Sequence, residues 1–434
     1  MQVSDSRTFF RPRLLSGRAW MVWAGFAIVL IVAPLLWTSS FAQTLLSQVG
    51  IAIIACLAYN MLLGQGGMLS FGHAVYSGLG SFLAIHTLNL AAAGTLWMPV
   101  SLIPLVGGFA GLFFAALLGY VTTKKAGTTF AMITMGIGEL VWSMSLMIPE
   151  FFGGEGGITT NRVVGQPFLG ISFGPQIQVY YLIAVYCFVS TAAMYAFTRT
   201  PLGRMLNAVR DNPERVEFIG YSTQSVRYLA FMASGFFSGI AGGLGALNFE
   251  IVTAEVVGAA RSGGYLLFVF LGGATFFIGP IIGAVLMVFA LVMLSELSKA
   301  WLLYLGLVFL FMVMYAPGGL ASLIMMNLRV SSFGKWGRLL KHYVALTATG
   351  ALALAGLVAL IEMLYHLQLD AALGNEKKLL GVTLDVQSTS IWLAAAVVLV
   401  LGGAAFEWAR RGFAAEWSKV QEEIQHEITR RETA

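Results

Sequence analysis

The chain has 434 residues, of which 58% are hydrophobic and only 10% are charged. A soluble domain carries about a quarter charged residues, so this composition excludes a water-soluble globule, whose exterior it could not cover. Lipid as solvent removes the conflict, because apolar side chains can then face outward. The net charge of +5 does not mark a nucleic-acid binder, since the basic residues lie between apolar runs rather than in one patch.

The N-terminus is basic (Arg7, Arg11, Arg13, Arg18) and leads into an apolar run of span length. Further spans follow, so it reads as a first membrane helix rather than a cleavable leader. Apolar runs predict spans near 19–37, 43–63, 70–90, 98–121, 128–149, 179–197, 228–247, 264–279, 280–297, 301–317, 344–365 and 390–408. The stretch 264–297 is split by Gly279-Pro280 and reads either as two short spans or as a re-entrant hairpin. With the N-terminus inside and strict alternation, 20 of the 25 basic residues fall on the inner side. The positive-inside rule selects that orientation, with both termini cytoplasmic. The first five spans then start inside and the next five outside, as an inverted repeat would give. After residue 330 the character changes, with Lys335, Arg338 and Lys341 leading to two further spans and a charged tail. The expected division is a transmembrane core over 1–328 and an appended module over 329–434.

The first motif is Leu63-Gly64-Gln65-Gly66-Gly67-Met68-Leu69-Ser70-Phe71-Gly72-His73. Glycine this dense weakens a helix and frees backbone groups. Within a membrane those groups need protein or a water-filled cavity. A broken helix beside a translocation path is one reading, with Gln65, Ser70 and His73 on the path. Close helix packing through small residues is the other. His73 taken alone reads as a hydrogen-bonded core histidine rather than a ligand.

Glu139 is a carboxylate within an apolar span. Such residues face a cavity or a partner, because burying the charge in lipid is costly. It is read either as part of the path or as a paired structural group, and Glu362 as structural.

The segment Arg199–Gly220 is the longest polar insertion on the inner side. Leu202, Leu206 and Val209 share one helical face, with Arg204 and Arg210 elsewhere. Asn212 then suits an N-cap, Pro213 the first helical position and Glu214 the positive end of the dipole. Gly220 can close the second helix. Two short helices with a sharp turn follow, suited to docking a cytoplasmic partner. In the tail, Phe406, Phe413, Trp417, Val420, Ile424 and Ile428 follow helical spacing among acidic residues. A short coiled coil, a regulatory contact and a stabilising helix all fit that pattern.

The two cysteines, Cys56 and Cys187, sit in apolar runs and read as buried packing. The chain has no G-x-x-x-x-G-K-[ST] phosphate loop, no H-E-x-x-H and no G-x-S-x-G. Its five histidines are scattered. These features point to transport rather than catalysis.

Gly64-Gln65 through His73, followed by Gly78 and Gly80, resembles the signature of branched-chain amino-acid ABC transporter permeases. Pro201-Leu202-Gly203-Arg204 through Asp211-Asn212 and Ile219-Gly220 resembles that family's ATPase-contacting loop. Ala230-Phe231, Ser234-Gly235, Ala241-Gly242-Gly243, Gly272-Gly273, Gly279-Pro280 with Gly283-Ala284, and Ala316-Pro317-Gly318-Gly319-Leu320 match in order. The likeness covers about residues 40–325. It implies an all-α polytopic membrane protein with about ten core helices of type II-like importer architecture, here with two extra C-terminal spans. It further implies a second permease subunit, two ATP-binding subunits that carry ATP and Mg, and an extracytoplasmic solute-binding protein, in a bacterial cytoplasmic membrane. Arg204, Arg210, Asp211, Asn212, Glu214 and Gly220 are the expected coupling residues. Branched-chain or related amino acids are the expected solutes. An ion-coupled secondary transporter that needs no ATPase is the alternative.

Overall fold

A computed structural model describes residues 17–163, 172–369, 376–379 and 382–433 of the protein. The basic residues Arg7, Arg11 and Arg13 lie outside the described residues. The chain packs as two compact units: Met1–Phe289 with Pro317–Ala321, and Ala290–Ala316 with Ser322–Ala434.

The first unit opens with α1 (Gly17–Leu36), α2 (Ser40–Gly66), α3 (Ala74–Ala92), α4 (Ile103–Thr122), α5 (Gly127–Met147) and the short α6 (Pro149–Phe152). It continues with α7 (Gln176–Arg199), α8 (Pro201–Asp211), α9 (Pro213–Phe218), α10 (Thr223–Phe249), α11 (Ala259–Gly272) and α12 (Gly279–Val288). Long apolar runs make the spanning helices, and local signals set their ends. Ser39 caps α2 by accepting from the Ala42 N–H at 3.2 Å. Gly67, at φ 63°, closes α2 in the left-handed region that favours glycine.

The core of this unit is α10 packed against α2, α3 and α4. Small residues bring the backbones together, as in membrane helix pairs generally. A Cβ at Gly111 would run into the Gly235 carbonyl, and one at Gly239 into the Gly107 carbonyl. Serine and tyrosine hydroxyls then tie helix to helix: Ser234 Oγ donates to the Ala58 carbonyl at 2.6 Å, and Tyr228 Oη to that of Ala116 at 2.9 Å. Phe109, Phe113, Leu117, Val185 and Val189 are exposed, the outward apolar surface that lipid permits. At one end of the bundle β1 (Ile158–Thr159) pairs antiparallel with β2 (Ile251–Val252). Arg162 fastens that end, its backbone N–H donating to Glu250 Oε1 at 2.8 Å and its Nε to the Phe173 carbonyl at 2.9 Å.

The stretch 264–297 resolves in favour of a short helix and a longer return. Helix α11 has 14 residues, about 21 Å at 1.5 Å per residue, too short for a hydrocarbon core of about 30 Å. After a tight turn, α12 runs on through a π-helical stretch, Phe289–Leu294, to Leu297. The turn is close-packed: a Cβ at Gly272 would strike the Gly279 carbonyl.

The second unit holds α13 (Ser295–Leu297), α14 (Trp301–Tyr315), most of α15 (Gly319–Ser332), α16 (Trp336–Leu369) and α17 (Thr389–Thr433). Strands β3 (Glu376–Leu379) and β4 (Val382–Asp385) pair between α16 and α17. The run predicted over 301–317 appears as α14, which ends at Tyr315. Pro317 offers no N–H to a continuing helix, and the chain bends by 49° before α15 takes up residues 319–332. Helices α16 and α17 form a long antiparallel hairpin, and a Cβ at Gly402 would lie 2.6 Å from the Ala353 nitrogen. The compact units part near residue 290. Glu362 of α16 explains this, accepting from the Ser298 hydroxyl and from Tyr304 Oη, the latter at 3.0 Å. Of the three readings of the tail, a stabilising helix is what the structure contains. Val420 and Ile424 pack on Val330 and Leu339, with Phe413 and Trp417 against the same cluster.

Eight helices among the described residues are long and apolar enough to cross a membrane, nine if α14 and α15 form one bent span. Helices α1 and α11 are shorter apolar elements. Cys56 and Cys187 are buried and unpaired.

Candidate functional site

The polar insertion folds as its sequence dictates. Thr200 caps α8 by accepting from the Gly203 N–H at 3.2 Å, and Pro201 sits in its first turn. Leu206 and Val209 are fully buried on the inner face, packed with Leu62, Met68, Val226 and Phe231. Asn212 caps α9 through the Arg215 N–H at 3.0 Å, with Pro213 and Glu214 in the first turn. Gly220, at φ 88°, follows α9. Arg204, Asp211 and Glu214 lie on the exposed face. Phe218 is 89% exposed, and Ile219 and Tyr221 beside it are exposed too. These three apolar side chains carry a signal that charge-based reading passes over.

The glycine motif proves to be both a break and a close approach. Helix α2 stops at Gly67, and α3 starts at Ala74. A Cβ at Gly64 would run into the Ala274 carbonyl, and one at Gly72 into that of Thr134. Within the break, the Phe71 N–H donates to Thr134 Oγ1 at 3.2 Å and the Ala74 N–H to Ser262 Oγ at 3.0 Å. Tyr59 Oη donates to the Ser70 carbonyl at 2.9 Å. Side chains from α5 and α11 thus satisfy a backbone that no helix serves.

Arg210 joins the two motifs. Its guanidinium donates to the Gly64 carbonyl, in the last turn of α2. It also pairs with Asp211 at 2.9 Å. Its stem lies over Gly67, where a Cβ would be 2.8 Å from Arg210 Cγ. Leu206 lies against Gly66 in the same way. The amphipathic loop is therefore fastened to the point where the helix breaks.

Ser70 and His73 are fully buried in that break. His73 is a core residue, but it is not hydrogen-bonded as the sequence suggests: neither ring nitrogen has a partner among the described residues, nor does Ser70 Oγ or Asn60 Oδ1. Instead the imidazole stands edge-on to the rings of Tyr59, Tyr76 and Tyr265, with centroids 5.1, 6.1 and 6.5 Å away. Gln65 is half-buried in the last turn of α2. Glu139 lies apart from this cluster, midway along α5 on its exposed face.

Tyr265 also lines a partly open cleft of about 40 Å³. Ser77 and Ser81 of α3, Gly242 and Gly245 of α10, and Arg261 and Tyr265 of α11 line it. Of these only Gly242 was singled out from sequence, within the Ala241-Gly242-Gly243 motif. A cation at the head of an apolar run, as Arg261 is, was the available signal.

An apolar-coated helical bundle with a buried break in one helix, and an amphipathic loop fastened to that break, has the anatomy of a multi-pass membrane permease. The chain belongs to the family described as branched-chain amino acid transport system / permease component, whose model matches residues 41–317. It is 27% identical over 331 residues to the high-affinity branched-chain amino acid transport system permease protein LivM of Salmonella typhimurium strain LT2, covering 71% of this chain and 77% of that protein. The LivM protein of Escherichia coli K12 is 26% identical over the same shares. The nucleoside ABC transporter permease protein NupC of Lactococcus lactis is 23% identical over 207 residues, 44% of this chain and 63% of that protein. No solved structure matches. The family and these relatives make the chain an ABC-transporter permease, a transport subunit rather than an enzyme.

Proposed function

We propose that the chain is the permease subunit of an ATP-driven importer of small polar solutes, with branched-chain or related amino acids as its cargo. It would sit in a bacterial cytoplasmic membrane with both termini inside, as the distribution of its basic residues favours. A second permease, two ATP-binding subunits holding ATP and Mg, and an extracytoplasmic solute-binding protein complete the assembly.

The observation that carries this reading is the bond from Arg210 to the Gly64 carbonyl. Movement of a docked ATPase would push on α8 and α9, whose buried face is rigidly packed. Arg210 and Leu206 would pass that displacement to the end of α2, where Gly67 already interrupts the helix. A small shift there biases the bundle between two packings, because close-packed interfaces are bistable rather than compliant. Exposed Phe218 and Ile219, flanked by Glu214, Arg215 and Glu217, form a mixed apolar and charged surface suited to a protein partner. An ion-coupled transporter gives that surface no task. Glu139 supports a second subunit or an aqueous path alongside α5, since a carboxylate in mid-bilayer costs about 2.5–3.5 kcal/mol or more.

The test is the double substitution Arg204→Ala with Glu214→Ala in the assembled complex. The transporter is expected to assemble, yet solute uptake falls while ATP hydrolysis persists. Normal uptake with normal hydrolysis removes the coupling role from this loop.

A further inference from the structure

We propose that Arg261 is the anion-recognition residue of the translocation cleft and takes the carboxylate of the transported solute. The proposal rests on the transport reading above and adds a residue and a charge requirement to it.

Arg261 stands in the first turn of α11, half-buried, with its side chain lining the cleft. Its backbone N–H donates to the Gly258 carbonyl at 3.2 Å, but among the described residues its guanidinium has no hydrogen-bond or ion-pair partner. Helix stability does not explain it there. The N-terminus of a helix is its positive end, where an acid is favoured and a cation disfavoured, and the first turn of α11 holds no acid. A partly buried guanidinium with five donors and no acceptor calls for an anion. The fork of a guanidinium matches a carboxylate in two parallel hydrogen bonds.

The α3 serines that line the same cleft have complementary chemistry. Ser77 and Ser81 are 4% and 5% exposed. Ser77 Oγ donates to the Ala74 carbonyl at 3.1 Å, and Ser81 Oγ to the carbonyls of Ser77 and Gly242 at 3.0 and 2.9 Å. With their hydrogens committed, both oxygens offer only lone pairs to the cleft. A solute there meets donors on the α11 side and acceptors on the α3 side. That pairing suits a molecule carrying a carboxylate close to an ammonium or hydroxyl group. Size agrees: at roughly 10–15 Å³ per water-sized centre, the 40 Å³ of space takes about three heavy atoms, the size of a carboxylate. Open space beside Gly245, where a Cβ would meet nothing within 4 Å, leaves room for the rest of the molecule. The same chemistry disfavours a neutral nucleoside, which has no anion for Arg261.

The experiment labels arginine chemically on the full-length chain, purified with the subunits it retains and held in lipid nanodiscs. Phenylglyoxal is applied with acetate, L-leucine, acetamide or sodium chloride present, and modification at Arg261 is read by peptide mass spectrometry. The expected result is that Arg261 reacts, and that acetate and L-leucine slow its reaction several-fold while acetamide and chloride do not. Reaction without protection by either carboxylate overturns the proposal, as does equal protection by chloride. An Arg261 that never reacts also overturns it, since the residue is then covered by another group. The readout is on the chain itself, so a failed transport reading shows separately, as absence of any ATP-binding subunit from the preparation.

Discussion

Gly64 and Gly67 lie three residues apart on one turn and do different work. At Gly64 the constraint is space, because the Ala274 carbonyl and the Asn60 side chain occupy the position of a Cβ. At Gly67 the constraint is also conformation, since φ is 63°. Gly64→Ala forces a backbone shift of the kind that costs about 1–3 kcal/mol. Gly67→Ala adds about 1–2 kcal/mol of left-handed strain and pushes on Arg210. Both variants are expected to melt earlier than the wild type in a detergent thermal-unfolding assay. The composition of this motif shows in the sequence that something unusual happens here. It does not show that packing and breakage coincide, because Ala274 and Arg210 lie far away in the chain. Arg261 was hidden for a similar reason: its meaning comes from Ser77 and Ser81 on another helix.

The loop Arg199–Gly220 shows how a short element can be read almost completely from local signals. A Thr-Pro start, an Asn-Pro turn and a Gly stop leave little freedom, and α8 and α9 form where those residues place them. Its burial is what ties it to the bundle. Leu206 is fully buried, and Leu206→Ala is expected to cost about 2–5 kcal/mol of local packing. Hydrogen exchange should then rise across 201–218 while α10 stays protected. Unchanged exchange would mean that the loop is held by its polar contacts alone. Other elements were less legible. Pro317 marks the end of α14 correctly, but the search for span-length apolar runs passed over the 14-residue amphipathic helix that follows it. The apolar pattern separated α11 from α12 at Gly279-Pro280 but misplaced α11, which begins at Ala259 and ends at Gly272, because the small residues Ser262, Gly263 and Gly264 weaken the apolar signal of its first turns.

At the scale of the whole chain, the family match ends at residue 317 and the second compact unit carries on to the C-terminus. That unit holds its own charge network at the end of α17. Lys335 Nζ reaches Glu423 at 2.8 Å, and Arg338 bridges Glu416 and Glu423 at 2.7 and 3.0 Å. The hydrogen bonds from Lys335 and Arg338 hold the Glu423 carboxyl below its ordinary range. A carboxyl whose folded value is lowered contributes stability above its unfolded value and loses it as pH falls through the folded one. The tail is therefore expected to stay docked at neutral pH and to loosen only in acid, below the ordinary carboxylate range. These pairs are solvent-exposed, so their share is small and screened by salt. The apolar contacts of Val420 and Ile424 carry the rest. Limited proteolysis of residues 409–433 across pH and salt checks this, with Glu423→Gln as the reference. The wild type should become cleavable on acidification, and Glu423→Gln should show a smaller change because its carboxyl is already gone. Equal pH dependence in both would shift the titrating group away from Glu423 and leave the docking of α17 to Phe413, Trp417, Val420 and Ile424.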